Sequence, residues 1–186
     1  LFQGTYTWSH ALANNIGEGG APSDPSNLRR DYGNADNDLR HYFVAQGLWE
    51  PRLKKDWGLS RVVNGFELSS MVFFNSGYPV NPLAGADLNA DGVTNDRPLY
   101  RGRNSATGPG MFQVDSRIQR SFTFGDRYKL TGLLEAENLL NHTNAACSTA
   151  GGCTGAVVNV ATAPDFLRVT SARTARNVQF GFKFTF

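Results

Sequence analysis

The sequence predicts an all-β fold, an antiparallel transmembrane β-barrel, on three observations. A terminal segment alternates without a fault, the strands are longer than those of ordinary globular domains, and the connections alternate between short and long. In the terminal segment, Val178, Phe180, Phe182, Phe184 and Phe186 fall on one face. Asn177, Gln179, Gly181, Lys183 and Thr185 fall on the other. One aromatic face and one polar face suit a wall between lipid and lumen. The alternating phenylalanines from Phe180 match the closing strand of an outer-membrane barrel.

A period of two picks out six candidate strands, at about 1–12, 40–51, 61–76, 111–124, 128–140 and 177–186, each bounded by turn-forming residues. Their lengths, about 10 to 16 residues, exceed the usual five or six and suit tilted strands that cross a bilayer. The first strand carries Trp8 and the second Trp49. With Trp57 in the turn that precedes the third, these are expected as interfacial anchors, because aromatic girdles line both membrane surfaces. In the fourth strand, Phe112, Val114, Ile118, Phe122 and Phe124 form the apolar face. Gln113, Asp115, Arg117, Gln119, Ser121 and Thr123 form the polar one. Arg120 breaks this pattern near the strand end, where a long basic side chain reaches headgroups. The fifth strand sets Tyr128, Leu130, Leu134 and Ala136 outward and Lys129, Thr131, Glu135 and Glu137 inward, with Leu133 as its exception.

The apolar faces of the fourth and fifth strands coincide only if an odd number of residues joins them, and Gly125-Asp126-Arg127 supplies three. That register sets Phe124 opposite Tyr128 and Arg117 opposite Glu135 as a lumen-facing pair, worth at most about 1 kcal/mol when wet. Short turns at 125–127 and 51–60 contrast with long connections at about 13–39, 77–110 and 141–176. Structureless loops of that length argue against a compact soluble domain, whereas outer-membrane barrels have short periplasmic turns and long extracellular loops. The C-terminus then falls on the periplasmic side.

No run approaches the roughly 18 apolar residues of a membrane-spanning helix, which excludes a helical membrane protein. Eighteen basic and sixteen acidic residues leave a net charge of +2, and no basic cluster interleaved with aromatics points to nucleic acid. Leu1 is not an initiator residue and no signal peptide follows it, so the chain is expected to be a C-terminal piece of something longer.

Three local patterns invite a site. Asp87, Asn89 and Asp91 before Gly92 space oxygen ligands as calcium loops do, with Asp96 as a further ligand. An EF-hand would place Glu twelfth, where Pro98 stands, so the same residues also fit a metal-free loop of Asx turns. Cys147 and Cys153 enclose five residues in a loop rich in Ser, Thr, Ala and Gly. An oxidising surface location favours a disulfide over free thiols, and His142 is too lone a neighbour for a metal site. Residues 14–37, with Arg29 and Arg30, read either as a loop that gates or captures a ligand or as a solvated connection. Catalysis finds no support. His10, His41 and His142 lie in separate segments, no serine has a nucleophile-elbow setting, and Glu135 and Glu137 share one face without a partner chemistry.

Tyr6-Thr-Trp-Ser-His-Ala11, Asp36-Asn-Asp-Leu-Arg-His41, Asp87 to Pro98, Phe112-Gln-Val-Asp115, Glu135-Ala-Glu-Asn-Leu-Leu-Asn-His142 and the Phe-rich terminus occur in a telling order. Together they resemble the C-terminal barrel of TonB-dependent outer-membrane receptors, and within these the Oar-like group, which carries a carboxypeptidase-regulatory-like domain. The resemblance covers nearly the whole chain. It implies a barrel of about 22 strands, an internal plug, import of an unidentified external ligand and energy drawn through the TonB complex. The plug and the TonB-contacting segment would lie outside these residues. Other partners expected are outer-membrane lipid and, through the C-terminal strand, the barrel-assembly machinery. No cofactor follows beyond the calcium of the Asp87 loop. Six strands alone would leave open edges that lipid does not tolerate, so this piece is not expected to be stable by itself. Two other readings fit part of the pattern: a structural or adhesive barrel that imports nothing, and a soluble β-sandwich that buries its Phe-rich faces between two sheets.

Overall fold

A computed structural model of the protein describes residues 1–14, 22–54, 58–125, 127–148 and 150–186. Six strands, β1 (Phe2–Trp8), β4 (His41–Trp49), β5 (Phe66–Asn75), β8 (Met111–Phe124), β9 (Tyr128–Glu137) and β10 (Asn177–Thr185), build one sheet in the order β1-β4-β5-β8-β9-β10. Every neighbouring pair is antiparallel, so the chain runs up and down across the sheet without a crossover. The sheet is not closed, and β1 and β10 form its two edges. Two small ribbons stand apart in the long connections. They pair β2 (Leu12–Ala13) with β3 (Gly33–Asn34), and β6 (Pro79–Val80) with β7 (Ala106–Thr107).

The register follows the side-chain pattern. Phe124 faces Tyr128, and Phe180 faces Leu134 on the same apolar side. Arg117 faces Glu135 on the polar side. Both exceptions to the alternation acquire a physical reason. Leu133 stands on the polar side opposite Gly181, where a Cβ would meet Leu133 Cδ1 at 3.2 Å; the glycine leaves the space that leucine occupies. Arg120 stands on the apolar side with its guanidinium 4.8 Å from the Phe66 ring and 4.9 Å from the Phe122 ring. Its Nη1 donates to the carbonyl of Val62 at 2.9 Å, in the short helical turn α1 (Ser60–Val63).

Helix α1 corrects the expected third strand, which begins at Phe66 rather than 61. Asn64 ends the turn: its backbone N–H donates to Ser60 and its side chain bonds both main-chain groups of Leu53, while Gly65 takes φ +90°. The fifth strand stops at Glu137 because Asn138 takes φ +50°, a left-handed value that ends extended pairing. The first strand stops at Trp8, and Leu12 and Ala13 join the small ribbon instead. Trp57 and Asp126, expected in the short turns, lie outside the described residues.

No strand face of the sheet is covered by a second sheet among the described residues. Phe180 and Phe182 are each 68% exposed, so the buried aromatic faces that the sandwich reading requires are not found. The buried hydrophobic cluster lies in the long connections: Tyr78, Val80, Ala145, Cys147, Cys153, Ala156 and Val157. Leu39, Ala106, Leu167 and Val169 pack against it. A sheet with a bare aromatic face beside a packed set of loops inverts the distribution of a water-soluble fold.

Candidate functional site

The polar face of the sheet forms one wall. Its cavity, about 490 Å³, is lined from all six strands, with Gln46, Asp115, Arg117, Glu135, Glu137 and Gln179 among the lining residues. Arg117 Nη1 lies 3.3 Å from Glu135 Oε1, both side chains being close to half exposed. Further cross-strand pairs satisfy the same face: Gln119 donates to Glu67 at 2.8 Å, Gln46 to Gln3 at 3.0 Å, and the Ser121 and Thr131 hydroxyls meet at 2.9 Å. On the apolar side, Ser70 and Ser116 hydroxyls bond each other at 2.8 Å, so neither needs water.

All three long connections leave the same end of the sheet, because each joins strands whose other ends meet through 50–65 or 125–127. We number them loop 1 (residues 9–40), loop 2 (76–110) and loop 3 (138–176). Loops 1 and 2 are joined by buried charge. Arg97 is 3% exposed and its Nη2 donates to Asp31 Oδ1 at 2.7 Å, to Ser23 Oγ at 2.8 Å and to the carbonyl of Arg30 at 2.6 Å. Burial disfavours the Asp31 charge. The hydrogen bonds from Arg97 and Ser23 outweigh it and hold the carboxyl below its ordinary range. Arg103 reaches Asp36 at 3.3 Å, and Asn104 Nδ2 donates to Asp36 and to the carbonyl of Asn34, each at 2.7 Å.

Loops 2 and 3 meet where the disulfide that closes loop 3, between Cys147 and Cys153, packs against Tyr78 and Val80 of loop 2. Cys153 is fully buried against loop 2, where its backbone N–H donates to Pro79 O at 3.3 Å. Leu83 adds two main-chain bonds to Asn159 and Ala161, each 2.9 Å. Where it is described, loop 1 is one layer of a packed cap.

The four residues of the calcium pattern bond the loop's own main chain. Asp87 accepts from the N–H groups of Asp91 and Gly92, Asp91 from Val93, and Asn89 Oδ1 from Asp91. Asp96 is buried and accepts from Leu88 and Asn89 at 2.6 and 3.3 Å. Asn89 and Asp91 close Asx turns, Asp87 and Asp96 accept from main chain four to eight residues away, and among the described residues no group of three or more His, Cys, Asp or Glu could hold a metal ion. In this conformation those bonds fix the shape of the loop.

The remaining motifs also turn out to shape loops. Asp115 accepts from the N–H of Asn138 at 2.8 Å, which ties the Phe112 motif to the Glu135 motif. Asn138 bonds both main-chain groups of His142 at 3.0 Å, and Asn144 bonds both main-chain groups of Phe112, extending the edge of β8 into loop 3. Asp38 accepts from the N–H of Ala11 at 2.8 Å and pairs with Arg40 at 3.2 Å. Spacing alone does not show that these Asn and Asp side chains stand in for backbone. Their abundance beside turn residues was the available signal. His10, His41 and His142 remain apart: His41 bonds the Tyr6 hydroxyl, His10 bonds Asn34 and His142 bonds Asn144.

A long-stranded antiparallel meander with a bare aromatic face, a polar wall and loops packed at one end defines a β-barrel membrane protein in part. The family model for the outer membrane beta barrel domain matches residues 1–102 and 100–179, and the chain belongs to that family; its place is the outer membrane. Comparison with curated proteins and with solved structures found no significant match.

Proposed function

We propose that this chain is the C-terminal portion of a TonB-dependent outer-membrane receptor of the Oar-like group, which binds an external ligand and imports it through a plugged barrel of about 22 strands. The observation that carries the reading is the cap: three long loops share one packed core at one end of the sheet, above a polar wall that runs the length of the strands. A wide barrel with a plugged lumen needs such a hydrated inner wall, whereas a small barrel fills its interior with side chains. In this reading the loops face outward, the C-terminus faces the periplasm, and the apolar face of Phe180, Phe182 and Phe184 meets lipid. The residues here bind and position; they carry no chemistry.

The mechanism follows from what each part can do. The cap presents a fixed outer rim. The polar wall holds a hydrated plug surface through exchangeable hydrogen bonds, and a pull transmitted through TonB shifts that plug past Arg117, Glu135 and Glu137. The experiment is in vivo crosslinking of the full-length parent protein to TonB, with and without a deletion of the segment that precedes the plug. Capture that depends on the segment is expected. Failure to capture TonB would favour the second reading, an adhesive barrel, which the stapled cap also suits because a rigid display loses little entropy on binding.

A further inference from the structure

We infer that the turn Pro98–Gly102 in loop 2 is a docking surface for an acidic peptide segment that also carries apolar side chains. The turn closes through a bond from the N–H of Arg101 to the carbonyl of Pro98 at 2.9 Å. Leu99 is 88% exposed and Tyr100 73% exposed, yet the residues on either side are among the most buried polar groups of the chain. Arg97 enters the Asp31 and Ser23 network, and Arg103 reaches Asp36 and the carbonyl of Asp31. Gly33 bridges Arg103 so closely that a Cβ on it would stand 2.5 Å from the Arg103 carbonyl oxygen. Two anchored arginines thus hold a greasy turn out into solvent, and loop 1 adds the exposed Tyr32 on the segment bonded to both anchors.

The charge pattern names the partner. Arg97 and Arg103 are each paired with a carboxylate, Asp31 and Asp36. Arg101 is different: its guanidinium lies 5.7 Å from the Tyr100 ring centroid, and among the described residues no carboxylate is within ion-pair distance of it. Leucine, tyrosine and an unneutralised arginine on one fixed turn offer apolar area, an aromatic plate and a bidentate carboxylate site. A carboxylate-bearing peptide with aromatic or aliphatic side chains meets all three; a neutral sugar leaves the guanidinium unpaired and the leucine wet. Because both ends of the turn are anchored, docking requires little ordering.

This inference rests on the outward orientation of the loops but not on import. The test uses cells displaying the full-length parent protein, with no energy source, and a labelled poly(Glu,Tyr) copolymer as probe. Saturable binding is expected, weakened at least tenfold in Tyr100→Ala/Arg101→Glu and reduced by added salt. Polygalacturonate, which offers carboxylates without apolar side chains, is expected to compete more weakly than unlabelled copolymer. Absence of saturable binding, binding equal in the double variant, or equal competition by polygalacturonate would overturn the assignment. Radical footprinting of Tyr100 in the unliganded protein adds a further arm: protection there would mean that the protein covers the turn itself, and labelling only after lysis would remove the outward orientation. Crosslinking to TonB reads the import proposal separately, so either idea fails without the other.

Discussion

Gly108 and Cys153 share one space. A Cβ on Gly108 would lie 2.5 Å from the Cys153 sulfur and 3.2 Å from the Tyr78 carbonyl oxygen, so only glycine lets loop 2 seat the disulfide of loop 3. Gly108→Ala is therefore expected to lift loop 3 from loop 2, at a cost of about 1 to 3 kcal/mol, the range for overpacking. Limited proteolysis of residues 138–176 reads it. Cleavage should rise in the variant while the barrel itself stays folded by heat-modifiability on gels, and unchanged cleavage would mean that the contact has slack.

The Asp31 and Arg97 pair should behave as a buried one. Asp31→Asn leaves the Arg97 guanidinium charged inside the cap, and breaking such a pair costs about 3 to 5 kcal/mol. Hydrogen exchange of residues 28–34 and 97–104 should rise together, because each segment is bonded to the other. A rise confined to loop 1 would show that Arg97 keeps its other partners.

The pH dependence of that clamp has a definite sign. Asp31 has a folded value held below the ordinary 3.8, so its contribution is fully present above 3.8 and is lost as pH falls through the lower folded value. Protection of the two segments, corrected for intrinsic exchange, should stay level from neutral pH down to about 5 and fall only in stronger acid. Loosening between pH 5 and 7 would implicate another group.

The Arg117 and Glu135 pair is close to half exposed, so a double-mutant cycle should return a coupling of no more than about 1 kcal/mol. The swap Arg117→Glu with Glu135→Arg should assemble as well as the parent, since the two face each other in register. By contrast Phe182→Lys puts a charge on the lipid side and should cost about 2 to 4 kcal/mol near the bilayer midplane, read as lost barrel assembly.

The Asp87 loop offers a clean discrimination between a metal site and an Asx-turn structure. Removal of divalent cations with EDTA is expected to leave exchange protection of residues 87–96 unchanged, because the carboxylates already bond their own N–H groups. Asp87→Ala/Asp91→Ala should raise exchange with or without EDTA. A calcium-dependent gain in protection would instead assign Asp87, Asn89, Asp91 and Asp96 as ligands.

Much of this architecture is legible in the chain, for reasons that differ by element. The strands of the sheet announce themselves because a period of two is a local property, and the odd count in Gly125-Asp126-Arg127 carries the register of Phe124 with Tyr128 and of Arg117 with Glu135. Where local signals compete, the tertiary structure decided. Residues 61–63 border the period-two pattern of the third strand but wind into a helical turn, because Asn64 holds Leu53 and Gly65 turns left-handed. Asp87 to Asp96 has the spacing of a calcium loop, yet nearby N–H groups take its oxygens. The loop cap was beyond reach of the sequence. Asp31 with Arg97 and Gly108 with Cys153 are partners separated by dozens of residues in segments without periodicity, and their meeting depends on which ends of the strands the sheet brings together. The amino-acid pattern by itself determined the wall, since each strand's alternation needs only its own neighbours. Folding alone decided how the loops pack, since the Asp31 and Arg97 pair forms, and the disulfide already expected between Cys147 and Cys153 is buried, only once distant backbone has been placed around them.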